Sequence, residues 1–401
     1  MGFVAMDSLA ARLSERSGPH PPAVFDSRID WSGADAKPSD GMRRLTAHQA
    51  LMRAYQNRYV VLPMDGSQKG SIVERLQRHY DPNYLAEADA ARRTLEDELI
   101  VPLVAAIETR AEDTSCEDYV AQLLPRIRDS EPGQFIAFLE SSPNRQHHYR
   151  NFLIQSSADL LAESSASALG IIGEFGEVQS ALFRILIDEF GYGEHGKKHS
   201  QLYRATLRSF GLPDEYNGFW HLLDTVSLEL HNTIHFLFQN PRNFFRQIGF
   251  LLYAETSYQK STGDHHRYLR QHHKEADARY FGEHAHIDIH HTAMVVDEVV
   301  APLLKRYGAE VGREIVIGAE LTAAAFARSD AHLAALGKAI DEADSGVSFG
   351  LDASADREQR CRTPDETTPF QPVQIGGIAK IDDPRLFADL PDGTVGREVA
   401  A

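Results

Sequence analysis

Phe281-Gly-Glu-His-Ala-His-Ile-Asp-Ile-His-His-Thr292 carries His284, Asp288 and His291 at steps of four and three residues. At ~100° per residue, those steps return the three side chains to one stripe of an α-helix. Two imidazoles and a carboxylate on one helical face make part of a coordination sphere. Its donors suit iron, manganese or zinc rather than a soft-metal thiolate site. His286 and His290 form a competing pair on the opposite face, open to reading as a surface zinc clip, but no carboxylate helix pairs with them.

The chain around this segment reads as helical throughout. Spacings of three and four dominate from about residue 41, and alternating β-branched runs are nearly absent. Between about 146 and 342 the turn signals separate helices at roughly 148–169, 174–190, 195–210, 216–238, 242–258, 274–306 and 309–341. Pro302 is expected to bend or end the sixth of these. The fold class is all-α, a multi-helix bundle. Residues 1–40, rich in Pro, Ser, Gly and Asp, read as a flexible arm, and 41–145 as accessory helices that cap the bundle or form a homodimer. The core spans 146–343, and 344–401 is an irregular tail.

Composition narrows the partners. A net charge of −17 over 401 residues argues against nucleic acid, because phosphate binding needs a basic surface. Cys116 and Cys361 are the two cysteines, so neither a disulfide framework nor a cysteine-based metal site is available. No stretch approaches the ~18 apolar residues of a membrane span, and the start carries no signal-peptide pattern. A cytoplasmic protein with no membrane partner is the expectation.

Acids embedded in apolar helices are the candidates to complete the metal sphere. Glu255 follows Ile248, Phe250, Leu251, Leu252 and Tyr253. A bare buried carboxylate there would cost several kcal/mol, so it needs a cation or a proton. Glu189 closes a run of apolar residues at a helix C-terminus, where the dipole disfavours an acid, and His199 follows ten residues later across a glycine break. Glu163 lies in the first core helix behind Leu160 and Leu161, among serines that leave a solvated reading open. The carboxylates of Glu163, Glu189, Glu255 and Asp288 sum to −4, which balances two ferrous ions.

Asp-Glu-Phe-Gly-Tyr-Gly-Glu-His-Gly-Lys-Lys-His at 188–199, Glu255 in its apolar helix and the His-x3-Asp-x2-His of 284–291, taken in order, resemble the heme-oxygenase-like diiron oxidases and oxygenases, the iron-containing redox enzymes. The resemblance covers about half the chain. It implies a heme-oxygenase-like bundle that binds two Fe2+ without heme, uses O2 as co-substrate and takes electrons from an external donor such as a reductase. Mapped residue by residue, it implies Glu189, His199, Glu255, His284, Asp288 and His291 as metal-binding and catalytic residues. Glu163 matches the additional carboxylate of the N-oxygenating branch.

The same resemblance implies N-oxygenation of an amine in an amino-acid-like substrate, in natural product biosynthesis. Two other readings stay open: oxidative C–C cleavage or decarboxylation of a fatty acid or amino acid, and a non-enzymatic metal- or ligand-binding helical protein. Heme itself suits a carboxylate-lined cavity poorly. Each ligating histidine should donate its free ring N–H to an outer partner, which the sequence does not name. Tyr258 and Tyr280 are expected as core packing near the face, with a hydrogen bond to a metal-site residue as the lesser alternative. Glu194 and His195 are expected as bystanders, and His265, His266, His272 and His273 as a solvated helix face.

Overall fold

A computed structural model describes residues 41–62, 71–109 and 114–342. The expected arm at 1–40 and tail at 344–401 lie outside the described residues. Within them the chain is all-α, a heme-oxygenase-like bundle without strands. The first six helices are α1 (Gly41–Gln56), α2 (Ile72–His79), α3 (Pro82–Leu99), α4 (Val101–Glu108), α5 (Cys116–Arg128) and α6 (Gln134–Ser141). The next six are α7 (Arg145–Leu160), α8 (Ser165–Gly170), α9 (Glu177–Glu189), α10 (His199–Ser209), α11 (Thr225–Gln239) and α12 (Phe244–His272). The last three are α13 (Arg279–Met294), α14 (Ala301–Tyr307) and α15 (Ala309–Glu342).

The centre of the bundle is α12, which packs most extensively on α13 and α15. Two glycines let α12 and α15 approach backbone to backbone. A Cβ on Gly249 would lie 1.9 Å from the Ile315 carbonyl oxygen, and one on Gly318 would lie 1.9 Å from that of Arg246. No side chain fits at either position.

Helices α1 and α3 to α6 are built into the same body. One apolar cluster runs from Leu51 and Tyr55 of α1 through Leu95 of α3 to Leu252 of α12 and Ile315 of α15. Polar ties fix the register: Glu96 Oε1 accepts from Tyr55 Oη at 2.6 Å, Arg92 Nη1 at 2.5 Å and Asn240 Nδ2 at 3.0 Å. These bonds join α1, α3 and the end of α11. Asp330 of α15 accepts from the backbone N–H groups of Gln134 at 2.6 Å and Phe135 at 3.2 Å. It thereby satisfies two of the orphan donors at the start of α6.

Three helices differ from their expected form. The 148–169 helix is two helices, broken after Leu160, with Ser164 in the left-handed region at φ 65°. The helix expected to stop near 258 continues to His272, because polar residues past Glu255 pair within it, Lys260 Nζ on Asp264 Oδ2 at 2.5 Å. Pro302 does not end the motif helix. A wider π-type segment, Val295–Val300, precedes it, and the chain stays helical to Tyr307. A proline lacks an N–H and crowds the carbonyl four residues back, and the wider turn accommodates both defects.

Candidate metal centre

Five elements of the chain meet inside the bundle. Helix α13 contributes His284, Asp288 and His291, all buried on its inner face. Glu255 comes from the middle of α12, Glu189 is the last residue of α9, and His199 is the first of α10. Glu163 arrives from the break between α7 and α8, a correction to its expected place within a helix. The break turns its carboxylate inward. All seven residues are no more than 8% exposed.

The loop between Glu189 and His199 makes two short 3-10 turns at Gly191–Gly193 and His195–Lys197. Gly191 has φ +70°, and a Cβ there would sit 2.4 Å from the Lys198 backbone nitrogen. Glycine is thus demanded twice, by the left-handed backbone and by the close approach. The reversal sets His199 Nδ1 2.9 Å from Glu189 Oε2. Ser164 Oγ also donates to that oxygen, at 3.1 Å. Glu194 and His195 stay exposed in the loop, outside the cluster.

His291 is the most contacted side chain of the set. Its Nδ1 lies 3.2 Å from Glu255 Oε2, 3.4 Å from Asp288 Oδ1 and 3.7 Å from Glu189 Oε1. On its other side Nε2 faces Asp188 Oδ2 at 3.2 Å. Asp188 is therefore the outer carboxylate that can hold the His291 ring in place. The sequence placed it beside Glu189 but carried no sign of that role. His284 Nδ1 lies 3.3 Å from Asp288 Oδ2, and its Nε2 lies 3.3 Å from Glu163 Oε1. The rings of His199 and His284 meet edge to face, 4.3 Å apart.

Two groups of donor atoms emerge. Glu163, Glu189, His199 and His284 each place one atom within 4.8 Å of the others, and so do Glu189, Asp288 and His291. Glu189 is common to both, so one carboxylate with two oxygens stands between two possible ion positions. Glu255 joins the second group through its contact with His291.

Protons crowd into this arrangement. Burial opposes charge on His291, yet Glu255, Asp288 and Glu189 outweigh it and raise the imidazole to about 11. Burial likewise opposes protonation of His284, but Asp288 and Glu163 hold it well above its ordinary value. The Glu189 carboxyl, disfavoured as an anion by burial, is nevertheless drawn down to about 2 by His199, His284 and His291. Burial lifts Glu255 to about 7, against the pull of His291. Among the described residues no lysine or arginine makes an ion pair with these four carboxylates. Among the described residues their ion-pair partners are imidazoles.

The residues fit a pair of metal ions by two further criteria. Glu163 Oε2 is buried without any partner, and His284 Nε2 and Asp288 Oδ1 are buried with only the 3.3 and 3.4 Å ion-pair contacts given above, outside hydrogen-bond geometry. Each such orphan costs about 1–3 kcal/mol, and a cation would satisfy all three. The donor set is oxygen and imidazole nitrogen without sulfur, as iron or manganese prefers. Beside it lies a cavity of about 70 Å³, walled by Leu182, Ile234, Phe250 and Leu251 and large enough for a few water-sized molecules.

Two expectations about nearby aromatics are revised. Tyr280 is more than packing, because its hydroxyl donates to Glu163 Oε1 at 2.6 Å. His265 does not belong to a solvated face. It stacks between Phe152 at 4.5 Å and Phe281 at 5.1 Å, and burial drops its pKa to about 4. Tyr280→Phe should leave the fold intact and weaken iron binding about 10-fold, the lower end of what loss of an outer partner costs. Iron titration of the metal-free protein checks this, and unchanged affinity would show that Glu163 is held without the tyrosine.

Comparison with known proteins agrees with this geometry. Residues 150–327, which include all seven side chains, match the family model described as iron-containing redox enzyme. The chain is 32% identical over 278 residues to the nitrosourea synthase of Streptomyces achromogenes subsp. streptozoticus. That alignment takes in 69% of this chain and 59% of the relative, so the chain spans about three fifths of the length of the curated relative it matches. No described helix is long and apolar enough to cross a membrane. With its helical core built around a buried carboxylate and histidine cluster, the segment 150–327 is a heme-oxygenase-like domain of the iron-containing redox enzyme family.

Proposed function

We propose that the chain is a non-heme diiron oxygenase that N-oxygenates an amine of an amino-acid-like small molecule in a biosynthetic pathway. The observation that carries this reading is Glu189, shared by two buried donor groups that between them hold four carboxylates and three imidazoles. Two ferrous ions held there would supply electrons to reduce O2 and deliver oxygen to the substrate, with an external reductant restoring them.

The chain's own residues do the rest. Glu163, Glu189, Glu255 and Asp288 neutralise the two cations in a dry interior. Asp188 and Tyr280 orient His291 and Glu163 from outside. Leu182, Ile234, Phe250 and Leu251 give the small cavity beside these donors an apolar wall. Oxygenation at nitrogen is favoured over C–C cleavage by Glu163, which adds a further carboxylate to the first donor group. The name of the 32% identical relative points the same way, a nitrosourea being a compound with oxidised nitrogen. A cytoplasmic homodimer completes the reading, and light scattering on the intact chain tests its oligomeric part.

The chemical test is anaerobic loading with Fe(II), followed by O2 with and without candidate amines. Amine-dependent O2 consumption with hydroxylamine, nitroso or nitro products is expected. Release of CO2 or an alkene without nitrogen oxidation would replace the proposal by C–C cleavage, and absence of any substrate-stimulated O2 uptake would refute an oxygenase. Glu163→Ala should lower N-oxygenation by about 100-fold or more, as loss of a metal-site group does. Near-normal turnover in that variant would place Glu163 outside the working site.

A further inference from the structure

A second and larger cavity, of about 330 Å³, lies against the first. Asp159, Ile234 and Tyr258 line both. The lining of the larger one ranges from exposed Ser130, Glu131 and Ser261 to the buried Tyr280, which is bonded to Glu163. It therefore runs from the surface to the edge of the candidate metal centre. Its size is that of a small-ligand pocket.

The charges along it are placed unevenly. Asp159 sits at the end of α7, four residues before Glu163, where the two cavities adjoin. Among the described residues its carboxylate has neither an ion-pair partner nor a side-chain hydrogen bond. Burial, with Glu163 nearby, lifts this carboxyl to about 7, and a cation seated against it would favour the anion. Most other acids on this wall are already occupied. Asp330 holds the N-terminus of α6, and Asp264 binds Lys260 at 2.5 Å and Arg267 at 3.0 Å. Two cations on one carboxylate leave that group with a net charge of about +1. The cavity thus has an unpaired carboxyl at its inner junction and, elsewhere on its wall, the Lys260 ammonium, which shares Asp264 with Arg267.

The geometry points to this cavity as the substrate chamber, with Asp159 binding the cationic nitrogen of a zwitterionic amine and Lys260 receiving its anionic group. The inference rests on the oxygenase reading only for the word substrate. A nitrogen held at Asp159 stands beside the small cavity that Glu163, Glu189, Glu255 and His284 also line. Aromatic faces of Phe152, Phe281 and Phe326 suit the aliphatic stem between the two charged ends. Asp159 thus acts as a specificity-determining residue rather than a metal ligand.

Calorimetry on the full chain, loaded anaerobically with Fe(II), tests it with three probes: L-lysine, 1,5-diaminopentane and hexanoate. L-lysine should bind best. Asp159→Asn should weaken both amines at least tenfold and leave hexanoate unchanged, whereas Asp159→Glu should retain most of the affinity. Lys260→Met should weaken L-lysine and hexanoate but leave 1,5-diaminopentane within threefold. Iron content and melting temperature, measured on each variant, separate loss of binding from loss of the site. The inference is overturned if Asp159→Asn binds 1,5-diaminopentane as wild type does, or if neither amine binds the wild-type protein. Binding needs no turnover, so an amine held through Asp159 but never oxidised would sink the oxygenase reading alone.

Discussion

Replacing His291 with alanine is expected to lower the iron content from about two ions per chain towards one, and to abolish O2 consumption. This imidazole touches Glu255, Asp288 and Glu189 through one nitrogen and Asp188 through the other. Losing an outer partner alone typically costs 10–100-fold in metal affinity, so losing a ligand should cost more than about 100-fold. The metal-free protein should suffer too. Removing the imidazolium leaves buried carboxylates facing one another, and breaking a buried pair in this way costs about 3–5 kcal/mol. Paired measurements of iron content and urea unfolding track both effects. A variant with two irons and full turnover would show that the second donor group is assembled without His291.

Gly318→Val should be the most destabilising single change outside the metal centre. Its Cβ would lie 1.9 Å from the Arg246 carbonyl oxygen and 2.6 Å from the adjoining carbon, both parts of a helix that cannot step aside alone. Overpacking of this kind costs about 1–3 kcal/mol and more when backbone must move. Against it stands the helix propensity gained on leaving glycine, less than about 1 kcal/mol. The clash should therefore win, with a loss of about 3 kcal/mol or more. The damage should reach the site, because α12 carries Glu255 only six residues beyond Gly249, which makes the reciprocal contact with Ile315. Stability to chemical unfolding and iron content should fall together. A variant as stable as the parent would show that α12 and α15 separate freely and that their close crossing does not set the position of Glu255.

What the sequence made legible was local. The stripe of His284, Asp288 and His291 follows from helical period alone, and Glu255 stands out as a charge among apolar neighbours. The pairing of Glu189 with His199 was readable because glycines between them mark a reversal, and Gly191 does adopt the left-handed backbone. Features that depend on distant segments meeting were not readable. Asp188 looks like any acid at a helix end until His291 Nε2 is found 3.2 Å away. Tyr280 acquires its role from a carboxylate 117 residues earlier in the chain. Glu163 was found among serines, but its turn out of the helix depends on the left-handed Ser164, a residue with no glycine to announce it. The far half of α12 was missed because its polar residues satisfy one another, leaving no apolar stripe to count.

The central claim is two metal ions bridged by Glu189. Anomalous diffraction at the iron edge, from crystals of the intact chain loaded anaerobically with Fe(II), addresses it most directly. Two peaks are expected, one among Glu163, Glu189, His199 and His284, the other among Glu189, Glu255, Asp288 and His291, with a Glu189 oxygen on each. A single peak, or iron held elsewhere such as at the exposed His286 and His290, would contradict the account.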